Sequence, residues 1–148
     1  MNDKVTDVFL VKDRQELETA FEIRKKVFID EQEIAYKDEF DEFDDISHHY
    51  LAVTDGVPCG TARWRKTEKG IKLERFAVLS AFRREGVGSA LIRAALNDIV
   101  LKEGDVKCYL HAQKEVIGLY AKFGFQKVGK EFPECGIIHQ TMEKTVME

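Results

Sequence analysis

Apolar and polar residues alternate or recur along this chain in segments short enough to assign one by one. "VTDVFLV" (Val5–Val11) reads as a first strand. From Asp13 to Gln32, apolar residues at Leu17, Ala20, Phe21, Val27 and Phe28 fall close to helical spacing. Asp13 is the expected N-cap, with Glu16 three residues on as in a capping box. Next, "HHYLAVTDGVPCGTARWRKTEKGIKLERFAVL" alternates, with turn signals at Asp55-Gly56 and Lys69-Gly70. It predicts three consecutive antiparallel strands, His49–Thr54, Val57–Lys66 and Ile71–Leu79. A glycine-containing turn follows, then a helix to about Lys102 ended by Gly104. "VKCYLHA" predicts a strand and "KEVIGLYAKFG" a short helix ended by Gly124. "FQKVGKEF" and "GIIHQTMEK" predict two more strands. Hairpins combined with a crossover unit predict a mixed sheet flanked by helices.

The exception is "DEFDEFDD" (Asp38–Asp45), six acids and two phenylalanines. It reads as a solvated acidic loop with its phenylalanines packed down. It has no EF-hand spacing, and no metal site is expected anywhere in the chain. The three cysteines, Cys59, Cys108 and Cys135, form no C-x-x-C pair and read as buried or incidental thiols. The 148 residues predict one domain over 1–148, and a net charge of −4 argues against a nucleic-acid partner. The opening residues are too charged for a signal peptide and no apolar run could span a bilayer. A cytoplasmic protein without a membrane partner is expected, with a homodimer left open.

The chemistry concentrates at "AFRREGVGSALIRAAL" (Ala81–Leu96). Gly costs about 1 kcal/mol against Ala inside a helix, so Gly86 and Gly88 need a reason. The first N–H groups of a helix lack internal partners, and glycine lets a ligand approach the backbone. The expected ligand of such a turn is a phosphate or pyrophosphate. Neither G-x-x-x-x-G-K-[ST] nor G-x-G-x-x-G is present, so neither a P-loop nor a dinucleotide fingerprint applies. On spacing alone, a tight packing turn and a phosphate cradle are equally good readings.

"RREGVG" (Arg83–Gly88) resembles the Arg/Gln-x-x-Gly-x-Gly/Ala motif of the GNAT acetyltransferase superfamily. "LERFAVLSAFRREGVGSALI" resembles the strand, loop and helix of that family that hold acetyl-coenzyme A, and "LYAKFGF" (Leu119–Phe125) resembles its later Tyr-bearing helix. "IRKKVFIDEQ", "FDD" before "HHYLAV", "LHAQ" and "GIIH" resemble the YjcF-like branch. The resemblance covers nearly the whole chain. It implies the GNAT fold, an α/β chain of α+β type with a mixed, mostly antiparallel sheet of about six to seven strands and about four flanking helices. It also implies N-acetyl transfer from acetyl-coenzyme A to a primary amine, by direct attack in a ternary complex.

The same resemblance implies roles for individual residues. The pyrophosphate falls to Arg83, Arg84, Glu85, Gly86, Val87, Gly88 and Ser89, and the pantetheine arm to Phe76, Ala77 and Val78. Gln113, Tyr120 and Phe123 complete the cofactor set. Gln113 stands seven residues before Tyr120, where many members carry Asn. Tyr120 is the implied acid for the leaving thiolate. Three residues compete for the general base: Glu74, on the same strand parity as Phe76 and Val78; Glu31, at the end of the first helix; and His111, on the neighbouring strand. The acceptor pocket is expected between the first helix with its following loop and the segment Glu131–Gly136. Arg24, Arg63 and Arg75 are candidate anion anchors there, and Asp44, Asp45 and His48 candidate partners of a cationic group. The expected acceptor is a small-molecule amine. The alternatives are a protein or peptide amine, or a module that binds acyl-coenzyme A without catalysis.

Overall fold

The structure is a computed structural model and describes residues 4–147. Its elements are β1 (Thr6–Leu10), α1 (Arg14–Arg24), α2 (Tyr36–Glu39), β2 (His48–Thr54), β3 (Val57–Thr67), β4 (Gly70–Val78), α3 (Val87–Glu103), β5 (Val106–Gln113), α4 (Ile117–Ala121), β6 (Gln126–Glu134) and β7 (Ile137–Val146). The strands form one sheet in the order β1-β2-β3-β4-β5-β7-β6. Only β4 and β5 pair in parallel; every other neighbour is antiparallel. This is the mixed, mostly antiparallel sheet that the pattern predicts.

Each face of the sheet buries one helix. α3 lies on one face, with Leu91, Ile92 and Ile99 among Tyr50, Trp64 and Leu73. α1 lies on the other, with Ala20 and Ile23 against Leu51 and Ala77. Asp13 caps α1 as expected, its Oδ1 accepting from Glu16 N at 2.8 Å, while Glu16 Oε1 reaches back to Lys12 N at 2.8 Å. Beyond Arg24 the helix continues without a break as a π-helix, Lys25–Glu31, that turns Val27 and Phe28 into the core. Such widened turns often mark functional positions.

Two local features of β4 shape everything that follows. At its start, the β3–β4 hairpin turns at Glu68–Lys69, one residue earlier than expected, so Gly70 opens the strand. A Cβ on Gly70 would stand 2.5 Å from the Lys107 carbonyl oxygen, so only glycine lets β4 meet β5 there. Further along, the register runs Thr61↔Ala77 and then Arg63↔Glu74, leaving Arg75 and Phe76 opposite Ala62 alone. This is a β-bulge, with Arg75 at φ +60°. The extra residue reverses the strand's parity. Ile71 and Leu73 face α3 before it, and Phe76 and Val78 face α3 after it. Glu74 therefore projects from the face opposite to Phe76 and Val78, which corrects the shared parity expected from the sequence.

The acidic segment is also not a solvated loop. α2 and a 3-10 turn (Glu42–Asp45) fold it against the α1 face. Arg24 and Arg63 are each 1% exposed and hold its carboxylates from beneath. Arg24 donates to Glu39 at 2.9 Å and to Asp44 at 2.6 Å. Arg63 donates to Asp41 at 2.9 Å, Asp44 at 2.6 Å and Glu74 at 2.6 Å. Phe40 lies on the Arg24 guanidinium and Phe43 on that of Arg65, at 4.7 and 3.8 Å.

Candidate active site

β4 and β5 pair in register only at Ile71↔Cys108 and Lys72↔Tyr109, then diverge. Beyond Lys72 the β5-facing edge of β4 is left without a strand partner. The gap is a cavity of about 900 Å³, toward the upper end of what small-molecule and cofactor sites use. It runs from the N-terminus of α3 to the turn between β6 and β7.

At the α3 end, Gly86 is the N-cap at φ +86°, and no side chain caps the helix. Ala90 N–H closes the first turn on the Gly86 carbonyl, so the N–H groups of Val87, Gly88 and Ser89 belong to the uncapped start of the helix. A Cβ on Gly88 would come within 3.3 Å of Leu119 Cδ2, which ties this turn closely to α4. Phe76, Ala77, Val78, Arg83, Arg84, Gln113 and Tyr120 line the same space. Arg83 donates through Nε to the Val78 carbonyl at 2.9 Å and clasps Glu31 through Nη1 and Nη2 at 2.5 and 2.8 Å. Gln113 exchanges two amide hydrogen bonds with Gln32, bridging β5 to the end of the π-helix. Tyr120 is buried, edge-on to Phe76 at 5.8 Å, and none of the described residues hydrogen bonds to its hydroxyl. Burial raises the pKa of that hydroxyl above its ordinary value, so it keeps its proton through the physiological range.

At the opposite end stand Lys72, Glu74, Arg75, His111, Glu134 and His139. Glu74 is bound by Arg63, by Arg65 at 2.7 Å and by Lys72 at 3.3 Å. Burial opposes its charge, but Arg63, Arg65 and Lys72 outweigh that and hold its carboxyl at about 2. A carboxylate that acidic is a poor proton acceptor, so the geometry speaks against Glu74 as base. Glu31 is outside the cavity lining and committed to Arg83, whose hydrogen bond lowers its pKa. His111 lines the cavity, its Nδ1 3.5 Å from Glu134 Oε2.

Other expected positions need correction. Arg24, Asp44 and Arg63 are absorbed in the buried ion network and do not reach the cavity. Asp45 is exposed on the outer side of the acidic segment. His48 stacks on Trp64 at 3.9 Å, on the α3 face, because its β3 partner in the register is Trp64. Glu85 turns away to pair with Lys4 at 2.6 Å, and Phe123 lies under Arg93. Cys108 is buried off the cavity, and burial pushes its thiol up to about 11. Of the acceptor candidates only Arg75 lines the cavity, bound to Glu39 and Asp41 at 3.1 Å each. No motif in the sequence assigns a role to Lys72, Glu134 or His139. Strand parity places His139 beside Gln113, but only once β7 is known to pair with β5 rather than with β6 alone.

The parallel strand pair thus opens into a cleft beside a helix with a glycine cap. Residues 11–146 match the family model for an acetyltransferase (GNAT) domain. The chain belongs to the GNAT acetyltransferase family, and its likeness to YjcF places it in the YjcF-like branch. A Bacillus subtilis (strain 168) protein, described as an acetyltransferase candidate, is 42% identical over 137 residues, 90% of this chain and 92% of its own. YjcF of the same organism, named an uncharacterized N-acetyltransferase, is 34% identical over 136 residues, 91% and 96% of the two chains. Among solved structures, an acyl-CoA N-acyltransferase from Pseudomonas aeruginosa superimposes with a TM-score of 0.85 at 27% identity, over 95% of this chain and 99% of its own.

Proposed function

We propose that this protein transfers an acetyl group from acetyl-coenzyme A to the primary amine of a small molecule, by direct attack while both are bound. The observation that carries this reading is the early parting of β4 and β5 beside the Gly86-capped start of α3. That arrangement suits coenzyme A. Backbone N–H groups from Val87 to Ser89, with Arg84 alongside, would hold the pyrophosphate. The unpartnered edge of β4 around Phe76 to Val78 would run beside the pantetheine amides. Acetyl-coenzyme A supplies an acyl group activated as a thioester.

The protein's own groups do the rest. A backbone N–H of β4 around Phe76 to Val78 would polarise the acyl oxygen. The imidazole of His111 takes a proton from the acceptor nitrogen as the new C–N bond forms. The C–S bond breaks, and the Tyr120 hydroxyl protonates the departing sulfur. Solvent then carries the His111 proton away and restores the tyrosine, leaving amide, free thiol and enzyme unchanged. His111 is favoured over Glu74 and Glu31 because both carboxylates are already engaged by guanidinium groups.

The test is thiol release from acetyl-coenzyme A across a panel of primary amines. Release that depends on an amine and falls with His111→Gln supports the reading. Binding of acetyl-coenzyme A without release for any amine would instead make the protein an acyl-coenzyme A-binding module.

A further inference from the structure

The acceptor end of the cavity has an uneven distribution of charge. Its cations are all committed: Lys72 to Glu74 at 3.3 Å, and Arg75 to Glu39 and Asp41 at 3.1 Å each. Glu74 and Glu39 are likewise neutralised by these and by Arg63, Arg65 and Arg24. Glu134 differs. Its neighbours are two imidazoles, His111 Nδ1 at 3.5 Å and His139 Nε2 at 3.8 Å, both at the same oxygen, Oε2.

The proton positions on those rings matter. His139 Nδ1 lies 2.7 Å from the Ile137 carbonyl, which can only accept, so Nδ1 carries the proton. The neutral ring then turns a bare Nε2 lone pair toward Glu134. His111 Nδ1 is buried and makes no hydrogen bond, 3.5 Å from the same carboxylate. Phe132 fixes both rings, edge-on to His111 at 5.1 Å and stacked toward His139 at 6.1 Å. The Glu134 carboxylate and the His139 lone pair therefore converge with no Lys or Arg paired to that carboxylate among the described residues. A primary ammonium carries three N–H donors. Asp38, whose carboxylate has no partner among the described residues, lines the same cavity and adds negative charge.

From this convergence we infer that Glu134, with His111 and His139, is the ammonium-binding site of the acceptor. The same inventory gives the acceptor's class: a cationic amine that carries no carboxylate or phosphate of its own, because among the described residues the cations of that end, Lys72 and Arg75, are both committed. Glu134 and the His139 Nε2 lone pair accept from the ammonium; it gives one proton to solvent before the neutral nitrogen attacks, and His111 receives the second as the C–N bond forms. The inference rests on the acyl-transfer reading above and adds to it the chemistry of the acceptor.

The experiment pairs each amine with its carboxylated counterpart: putrescine with ornithine, and tyramine with tyrosine. With acetyl-coenzyme A in excess, the decarboxylated member should have a kcat/KM higher by about tenfold or more, the scale of one charged hydrogen bond. Glu134→Gln should raise KM for the amine by about tenfold or more and leave the calorimetric Kd for acetyl-coenzyme A within about twofold. His139→Gln should raise KM with a smaller change in kcat. Preference for the carboxylated member, or an unchanged KM in Glu134→Gln, would overturn the inference. So would the absence of thiol release from the whole panel. In that last case acetyl-coenzyme A binding separates the two failures: binding leaves the donor site standing, and no binding removes the acyl-transfer reading as well.

Discussion

Gly86 occupies the left-handed region at φ +86°, with open space where a Cβ would go. A side chain there meets no wall, so its cost is conformational, about 1–2 kcal/mol. Gly86→Ala should lower the melting temperature by a few degrees, read by circular dichroism. An unchanged melting temperature would mean the cap tolerates any residue. Tyr120 has a similarly separable role. Its ring packs against Phe76 and Phe125, while its hydroxyl has no partner among the described residues. Tyr120→Phe keeps the packing and removes the proton. Turnover should fall by about a hundredfold while the Kd for acetyl-coenzyme A stays within about twofold. Undiminished turnover would remove Tyr120 from the chemistry. Both residues are visible in the sequence, one through its glycine spacing and the other through the "LYAKFGF" resemblance. Glu134 and His139 are not, since a histidine on an alternating strand carries no sign of the carboxylate across the turn from it.

The acidic segment shows where pattern reading stops at the level of elements. Six acids in eight residues have no apolar period, and solvation is the natural expectation for them. The arginines that draw three of these acids inward lie on α1, β3 and β4, far away in sequence. Only the fold brings them together. Arg63 is the hub, since it binds Asp41, Asp44 and Glu74 at once. Arg63→Met should destabilise the protein by about 3–5 kcal/mol, because it leaves those carboxylates buried without their partner. The same cluster sets the acid limb of stability. Folding depresses the pKa of Asp41, Asp44 and Glu74, so their stabilisation is complete above the unfolded carboxylate range. It is lost as pH falls toward about 2, where Glu74 takes its proton. Glu39, raised by burial, acts in the opposite sense and regains stability on acidification. With three groups against one, the melting temperature should fall steadily between about pH 5 and pH 2. A flat profile over that window would show that the network contributes nothing net.

Across the whole molecule, the order of strands and helices was legible because hairpin turns, caps and alternation are local signals. The β4 bulge was not. It depends on how Ala62 opposes two residues of the next strand, and it inverts which side chains face which helix. That inversion gives the cavity its two chemistries. Phe76 and Val78 face the α3 side, where backbone amides and arginines gather, while Lys72 and Glu74 face the α1 side with the ion network. The parting of β4 from β5 joins the two sides, and the central claim is that coenzyme A lies in that gap with its phosphates on α3. Calorimetric titration of acetyl-coenzyme A into the wild type and Gly86→Val tests it most directly. The account predicts one-to-one binding by the wild type and binding weaker by about tenfold or more in a folded Gly86→Val. No binding by the wild type, or equal binding by both proteins, would contradict it.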